Sequence, residues 1–398
     1  MTIHRVVLLI VLIGAIFARP AWGQEQSLAD MRKQAVEILK MDNITARVHI
    51  EDVMLLADRL AKDGNLVEAA QYYEAGLKHF PLDLRRQLAC AELYMNMGKK
   101  DEALAKAKIV SKAAEEDDLI ILARKMLGEK VDTGIELLGK LDGNAFTIVL
   151  VPMGEVDVLL LRDIRQKLQD QLGIAVLIRR IPLKMPAFGR DPVHDFCGKL
   201  RKSLMAKKAN DPDRFAAVLK DAGIREAELE QDRKVFNLYG WILTQSKDAN
   251  AQSSFAQAWS DLPSYEKQWE VDNLVEVIRE VTKPHKQKNV RFVGVTRCDL
   301  YDDTTSFLFA SGYLGEVMVM SYRRFMSAST NETPNRGRLL KRAVNQALSS
   351  TGKVFGIDSC SDPTCPRAYP HSVAEQDAKG EMLCDKCKKA FDEAFGRK

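Results

Sequence analysis

The sequence lacks an apolar run of the length that crosses a membrane, and it also lacks a strong net charge. Its longest apolar run, residues 6–17, is shorter than the ~20 residues that a membrane-spanning helix needs. The 59 basic and 55 acidic side chains leave a net charge of only +4. We therefore expect no stable membrane insertion and no nucleic-acid partner.

Histidine is scarce, and its placement excludes one common kind of catalytic site. None of the six histidines is followed by glutamate, so the chain has no HExxH motif. In that motif two histidines one helical turn apart hold Zn²⁺, and the glutamate activates the zinc-bound water. A catalytic zinc of this type therefore has no ligands among the histidines, which are His4, His49, His79, His194, His285 and His371.

The first 23 residues have the layout of a secretory signal. A short basic start at His4 and Arg5 precedes the apolar run, and the small residues Ala21 and Gly23 lie ahead of Gln24. This pattern predicts a cleaved signal peptide over residues 1–23, with an uncleaved amphipathic anchor as the alternative. The mature chain is therefore predicted to be secreted or periplasmic.

Residues 24–140 are predicted to form an all-helical domain of tetratricopeptide-like repeats. The turn GNLVEA at Gly64 recurs as GKKDEA at Gly98, 34 residues later. Small or apolar residues recur at the positions that such repeats keep small or apolar, because paired helices approach closely only over small residues. In the first repeat these residues are Val53, Leu56, Ala57, Leu60, Ala69, Tyr73, Gly76 and Pro81, and in the second they are Cys90, Ala91, Tyr94, Ala103 and Ala107. The repeats favour a groove for a protein or peptide partner, with a spacer as the alternative.

A second domain is predicted over residues 144–398, after the turn residues 142–144. A strand over 146–151, a helix over 157–172 and a strand over 175–181 alternate as in an α/β layer. A charged, mostly helical insertion is predicted at about 204–271. The predicted fold class is therefore helical repeats followed by an α/β or α+β domain.

The segment from Arg338 to Cys387 resembles the core motif of the archaemetzincin family of zinc peptidases. Apolar residues at helical spacing lead to Gly352 and Gly356, and then to a cysteine cluster. The family pattern is HExxHxxGxxHC followed by C-x-M and CxxC, and here its glycine and first cysteine are Gly356 and Cys360. The resemblance covers residues 146–387, interrupted by the insertion, and implies a zincin-like three-layer domain with a mixed β-sheet.

In this register the residues that would bind the catalytic zinc are replaced. Ser349, Lys353 and Ser359 stand at the three histidine positions, and Ser350 stands at the glutamate. A serine hydroxyl is a poor zinc ligand, and a protonated lysine repels the cation. Arg367 stands at the methionine of the family's turn, so we expect no catalytic residues at this place.

Four cysteines remain where the family keeps a structural zinc, namely Cys360, Cys365, Cys384 and Cys387. Two pairs at short spacing can bring four thiolates to one tetrahedral ion. The export compartment would instead favour two disulfides. The spacing predicts one structural zinc, with disulfides as the alternative.

These patterns together favour an exported, catalytically inactive archaemetzincin-like protein. It would bind a protein or peptide through its repeats or through the cleft of the archaemetzincin-like domain, in which the zinc-binding residues are replaced. One alternative is a zinc peptidase whose catalytic residues have moved, for example onto the insertion. A second alternative is a scaffold or assembly factor in which the repeats carry the function.

Overall fold

The computed structural model describes residues 27–40, 43–189, 191–246, 267–330 and 332–397. The predicted signal peptide and residues 247–266 of the predicted insertion lie outside these ranges. Across the described ranges, the helices are all too short or too polar to span a bilayer.

Helices account for most of the regular structure. In chain order the α-helices are α1 (Leu28–Lys40), α2 (Asn43–Lys62), α3 (Leu66–His79), α4 (Leu84–Asn96), α5 (Lys100–Ala113), α6 (Asp117–Met126), α7 (Val158–Leu172), α8 (Pro192–Asn210), α9 (Pro212–Asp221), α10 (Asp232–Ser246), α11 (Val271–Thr282), α12 (Ser327–Thr330), α13 (Arg336–Val354), α14 (Val373–Ala378) and α15 (Asp385–Ala394). Short 3₁₀ turns occur at Glu226–Glu230, Lys283–His285 and Arg323–Phe325.

The strands form one mixed sheet and one small pair. They are β1 (Thr147–Met153), β2 (Ala175–Ile178), β3 (Gln268–Glu270), β4 (Val290–Thr296), β5 (Asp299–Tyr301), β6 (Ala310–Tyr313) and β7 (Val317–Ser321). The main sheet has the order β2-β1-β4-β7-β6, in which β6 alone is antiparallel to its neighbour. β3 and β5 pair in parallel. The predicted α/β domain with a mixed sheet is confirmed.

The chain divides into two compact units. The first contains the described residues up to Pro81 together with those of Arg190–Glu266. In it α2 packs against α1 and α3, and Arg32 forms a two-pronged ion pair with Glu68 at 2.7 and 2.6 Å. Helices α8 to α10 enclose a separate apolar core that includes Leu204, Phe215 and Leu238.

The second unit contains Leu82–Gly189 and Lys267–Lys398, with the sheet between two helical layers. Alternate residues of β1 point to opposite faces, as a strand requires. Ile148 and Leu150 pack with α7 and α13, whereas Val149 and Val151 pack with α11. The described strands and helices of this unit therefore form three layers, with α13 lying against the sheet.

Helices α4 to α6 belong to the same unit as the sheet. Their apolar side chains share one core with Leu159 at the start of α7. α6 and α7 also cap each other: the Asp117 amide donates to Asp157 Oδ1 at 2.9 Å, and the Leu159 amide donates to Asp117 Oδ2 at 2.6 Å. Each aspartate thus satisfies a backbone N–H at the start of the other helix.

The positions used to predict the repeats lie in helices, except Pro81 in the turn before α4, and most are buried. Val53, Leu56, Ala57 and Leu60 are buried in α2, as are Ala103 and Ala107 in α5. A side chain at Gly76 would overlap Met54, so the glycine permits the close packing of α2 and α3. The N-terminal region is helical as predicted, and its tetratricopeptide character stays a prediction.

Candidate metal centre

Helix α13 carries the degenerate motif and ends where its glycine turn begins. The Asn335 side chain caps its start by accepting from the Arg338 amide at 3.0 Å. At its end the Ile357 amide donates to the Gly352 carbonyl at 2.8 Å, and Gly356 has φ +75°. This left-handed conformation favours glycine and turns the chain towards Cys360.

The four degenerate positions lie on α13 and on the loop after it. Ser350 is fully buried and accepts from Gln346 Nε2 at 3.4 Å, while Ser349 is nearly buried. Lys353 is partly exposed, with its Nζ atom 3.7 Å from Asp358 Oδ1, and Ser359 is half-buried. The three serine hydroxyls and the Lys353 ammonium do not form a ligand set for a zinc ion. These four side chains therefore provide no site for a metal-assisted catalytic step.

The four cysteines come together as one cluster. Their Sγ atoms all lie within 4.8 Å of one another, and those of Cys360 and Cys384 are 3.6 Å apart. Four sulfurs bound to one zinc at ~2.3 Å stand about 3.8 Å apart at tetrahedral angles. The separation of 3.6 Å is far longer than the ~2 Å bond of a disulfide. The donor set therefore fits a metal ion.

Local backbone bonds hold the two cysteine pairs in place. The Cys360 amide donates to the Arg367 carbonyl at 3.1 Å, and the Cys365 amide donates to the Asp362 carbonyl at 3.1 Å. The other pair is rigid because Cys384 immediately precedes α15 and Cys387 lies in its first turn. The short spacings seen in the sequence thus become a loop and a helix start that face each other.

The thiols differ in how easily they ionise. Burial raises the pKa of Cys387 well above its ordinary value, and burial also raises the pKa of Cys365. Burial opposes ionisation of Cys384 too, but hydrogen bonds from the Cys387 amide and the Cys360 thiol outweigh it and lower its pKa. Metal binding must displace these protons, so loading weakens as the pH falls.

The segment between the cysteine pairs is tied to α13 by buried polar side chains. Arg342, 1% exposed, donates to both carboxylate oxygens of Asp377, each at 2.6 Å. Asn345 Nδ2 donates to the Gly380 carbonyl at 3.0 Å, and Gln376 Nε2 donates to the Arg342 carbonyl at 2.7 Å. These bonds fix the cluster relative to the helix.

This anchoring was not predicted from the sequence. The sequence offers one indication of it, because Arg342, Asn345 and Gln346 are polar residues inside a helix whose other face is apolar. Polar residues in such a helix are ordinarily solvated, so this indication does not point to buried anchors. No local pattern identifies the partners of Arg342 and Asn345, which lie 35 residues further along the chain.

In the part of the chain that the structure describes, the metal-ligating side chains form no second cluster besides the four cysteines. Within the described ranges, the four cysteines form the only group of three or more His, Cys, Asp or Glu side chains close enough to share a metal ion. Of the predicted insertion, these ranges include the residues up to 246 and those from 267 onwards.

Comparison with known proteins finds sequence similarity to one peptidase family and to archaemetzincins. Residues 253–393 match the model of peptidase family M54. The archaemetzincin of Pyrococcus furiosus is 29% identical over 146 residues, which are 36% of this chain and 73% of that protein. The archaemetzincin of Pyrococcus abyssi is 29% identical over 106 residues, 26% of this chain and only 56% of that protein.

Solved structures are similar at lower identity. The archaemetzincin of Methanopyrus kandleri matches 64% of this chain and 98% of its own, with 17% identity and a TM-score of 0.38. The archaemetzincin of Archaeoglobus fulgidus, solved with malonate, matches 61% of this chain and 99% of its own, with 14% identity and a TM-score of 0.34.

The sequence matches make the C-terminal part of the chain similar to peptidase family M54. More specifically, the chain contains an archaemetzincin-like domain, as the motif resemblance predicted.

Proposed function

We propose that this protein is a catalytically inactive archaemetzincin-like protein with one structural zinc bound by Cys360, Cys365, Cys384 and Cys387. The zinc, when bound, cross-links the end of α13 to α15. One observation carries the proposal: the four cysteines converge on one point, whereas Ser349, Ser350, Lys353 and Ser359 offer no ligand set for a catalytic ion.

We further propose that the protein is exported and binds a protein or peptide. The predicted signal over residues 1–23 supports export. The helical N-terminal region supports a protein or peptide ligand, since stacked helix pairs present extended binding surfaces. The peptide would be held and not cleaved.

The test counts metal ions and measures peptide cleavage on the same protein. Full-length chain purified from the export compartment should carry one zinc, and it should not hydrolyse a peptide library with or without added zinc. The double variant C384S/C387S should carry none. Two metals in the wild type, or hydrolysis abolished by a chelator, would instead establish the zinc peptidase with relocated residues.

A restored variant serves as the positive control. The changes S349H, S350E, K353H and S359H rebuild the family motif on the same helix and turn. We expect this variant to bind a second zinc, because the backbone of α13 and the turn at Gly356 already have the required form. When both proteins are tested on the same peptide library, the wild type should bind peptides without cleaving them, and the restored variant should cleave them.

A further inference from the structure

Arg367 is a buried arginine inside the cysteine cluster. Its side chain is 1% exposed, although it lies on an irregular loop two residues after Cys365. Its Nη1 atom donates to Cys387 Sγ at 3.4 Å, and its Nη2 atom donates to the carbonyls of Ile357 and Asp358, each at 2.8 Å. The guanidinium also lies over the ring of Phe391, 5.1 Å from its centre.

The guanidinium fits against α13 at one glycine. A Cβ atom at Gly352 would overlap Arg367 Nη2, Nε and Cζ, so only glycine leaves room for it. Arg367 therefore contacts the last turn of α13, the loop after it and the sulfur of Cys387 at once. It is the side chain that joins the degenerate helix end to the cysteine cluster.

The charge of Arg367 needs an anionic partner. Among the described residues no carboxylate pairs with it, and its Nε atom is buried without a hydrogen-bond acceptor. A buried charge without a counter-charge is strongly unfavourable. Four thiolates around one divalent ion carry a net negative charge, and the sulfur that Arg367 contacts belongs to that set.

A second buried cation immediately follows α14 and contacts the loop that carries Arg367. Lys379 is 2% exposed, and its Nζ atom donates to the carbonyl of Ala368, the residue after Arg367, at 2.6 Å. A divalent ion bound by four thiolates has a net charge of −2, which two buried cations would balance. A cluster of four neutral thiols has no charge to balance either cation.

We propose that Arg367 is a positioning residue for the metal-loaded cysteine site, donating an N–H···S hydrogen bond to Cys387 and balancing the charge of the tetrathiolate centre. This inference rests on the proposed structural zinc. The contact is made by this chain's own Arg367 and Cys387. Partners of this kind typically contribute about 10- to 100-fold to metal affinity.

The experiment compares zinc affinity in full-length variants by competition with a chromogenic chelator. R367M should bind zinc about 10- to 100-fold more weakly than wild type. R367K should lose less zinc affinity than R367M, because lysine keeps the positive charge. G352A should weaken binding without removing any cation, because its methyl group displaces the guanidinium. K389M is the control, since Lys389 is a nearby cation whose side chain is 80% exposed, and it should bind as wild type does.

Cobalt substitution separates this role from a merely structural one. Without the hydrogen bond to sulfur, the thiolate-to-cobalt charge-transfer band of R367M should move to lower energy. R367M with wild-type zinc affinity and an unchanged cobalt spectrum would overturn the inference while one zinc per wild-type chain still supports the proposed function. A wild-type chain that binds no zinc would overturn both.

Discussion

At the scale of single residues, the second unit buries several charged groups, and each has a different kind of partner. Arg342 is balanced by the carboxylates of Asp377 and Glu332. Arg367 has sulfur and two carbonyls. Asp117 has the start of α7 and a weak contact of 3.5 Å with Arg336. These two contacts compensate the burial of the Asp117 carboxylate only in part.

Asp117 should make stability depend on pH. Burial raises its pKa from 3.8 to about 6, against the opposing hydrogen bond from the Leu159 amide. An acid whose pKa is raised by folding stabilises the fold at low pH, and this contribution is lost as the pH rises from about 4 to about 6. The loss amounts to about 3 kcal/mol at most.

The variant D117N checks this expectation. Asparagine can still accept from the Leu159 amide but cannot ionise, so D117N should gain stability relative to wild type as the pH rises from about 4 to about 7. Unfolding midpoints measured across that range give the difference. D118N is the matched control, because Asp118 is the exposed neighbour in the same turn. Parallel curves for wild type and D117N would show that Asp117 is not the titrating group.

At the scale of elements, the sequence predicts what depends on neighbours in the chain. The strand and helix periodicities locate β1, α7 and β2 to within a few residues, because each pattern is local. The cysteine spacing identifies the candidate metal site for the same reason. The bidentate pair of Arg342 and Asp377 and the contacts of Arg367 could not be predicted, since they depend on how separate elements pack.

The turn after α13 is an element whose conformation can be tested directly. Gly356 has φ +75° with open space around it, so an added methyl group would meet no atom but would strain the backbone. G356A should therefore lower the free energy of unfolding by about 1 kcal/mol. G337A, at an ordinary helical position of the same helix, should be neutral or slightly stabilising. Equal effects of the two changes would contradict the strained turn.

At the scale of the whole molecule, α4 to α6 are bonded to the three-layer part of their unit through one acidic turn. Glu115 accepts from the amides of Ser327 and Asn335 at 2.7 and 3.1 Å, and Arg336 donates to the Glu115 carbonyl at 3.0 Å. Local sequence patterns do not show this attachment, because the partners lie 212 to 221 residues apart in the chain.

This attachment predicts that α4 to α6 unfold together with the sheet. Hydrogen exchange should show the amides of these helices opening with the same free energy as those of β1 and β4. E115A leaves the buried Ser327 N–H and the partly buried Asn335 N–H without an acceptor and should cost about 1–3 kcal/mol. E102A, on an exposed position of α5, is the control. Helices that exchange much faster than the sheet in the wild type would contradict a single cooperative unit.

The mutual capping of α6 and α7 also has a consequence for the order of events during synthesis. Asp117 and Asp157 are only 40 residues apart, so their bond can form soon after both have left the ribosome. The Tyr322 hydroxyl, which accepts from the Asp157 amide at 2.8 Å and donates to its carboxylate at 2.9 Å, follows 165 residues later. At ~5–20 residues per second, this delay is roughly 10 to 30 s. For that time α6 and α7 have each other and the strands β1 and β2, but β4, β7 and α13 are missing. A nascent chain must therefore be kept from aggregating through the part of α7 that α13 later covers.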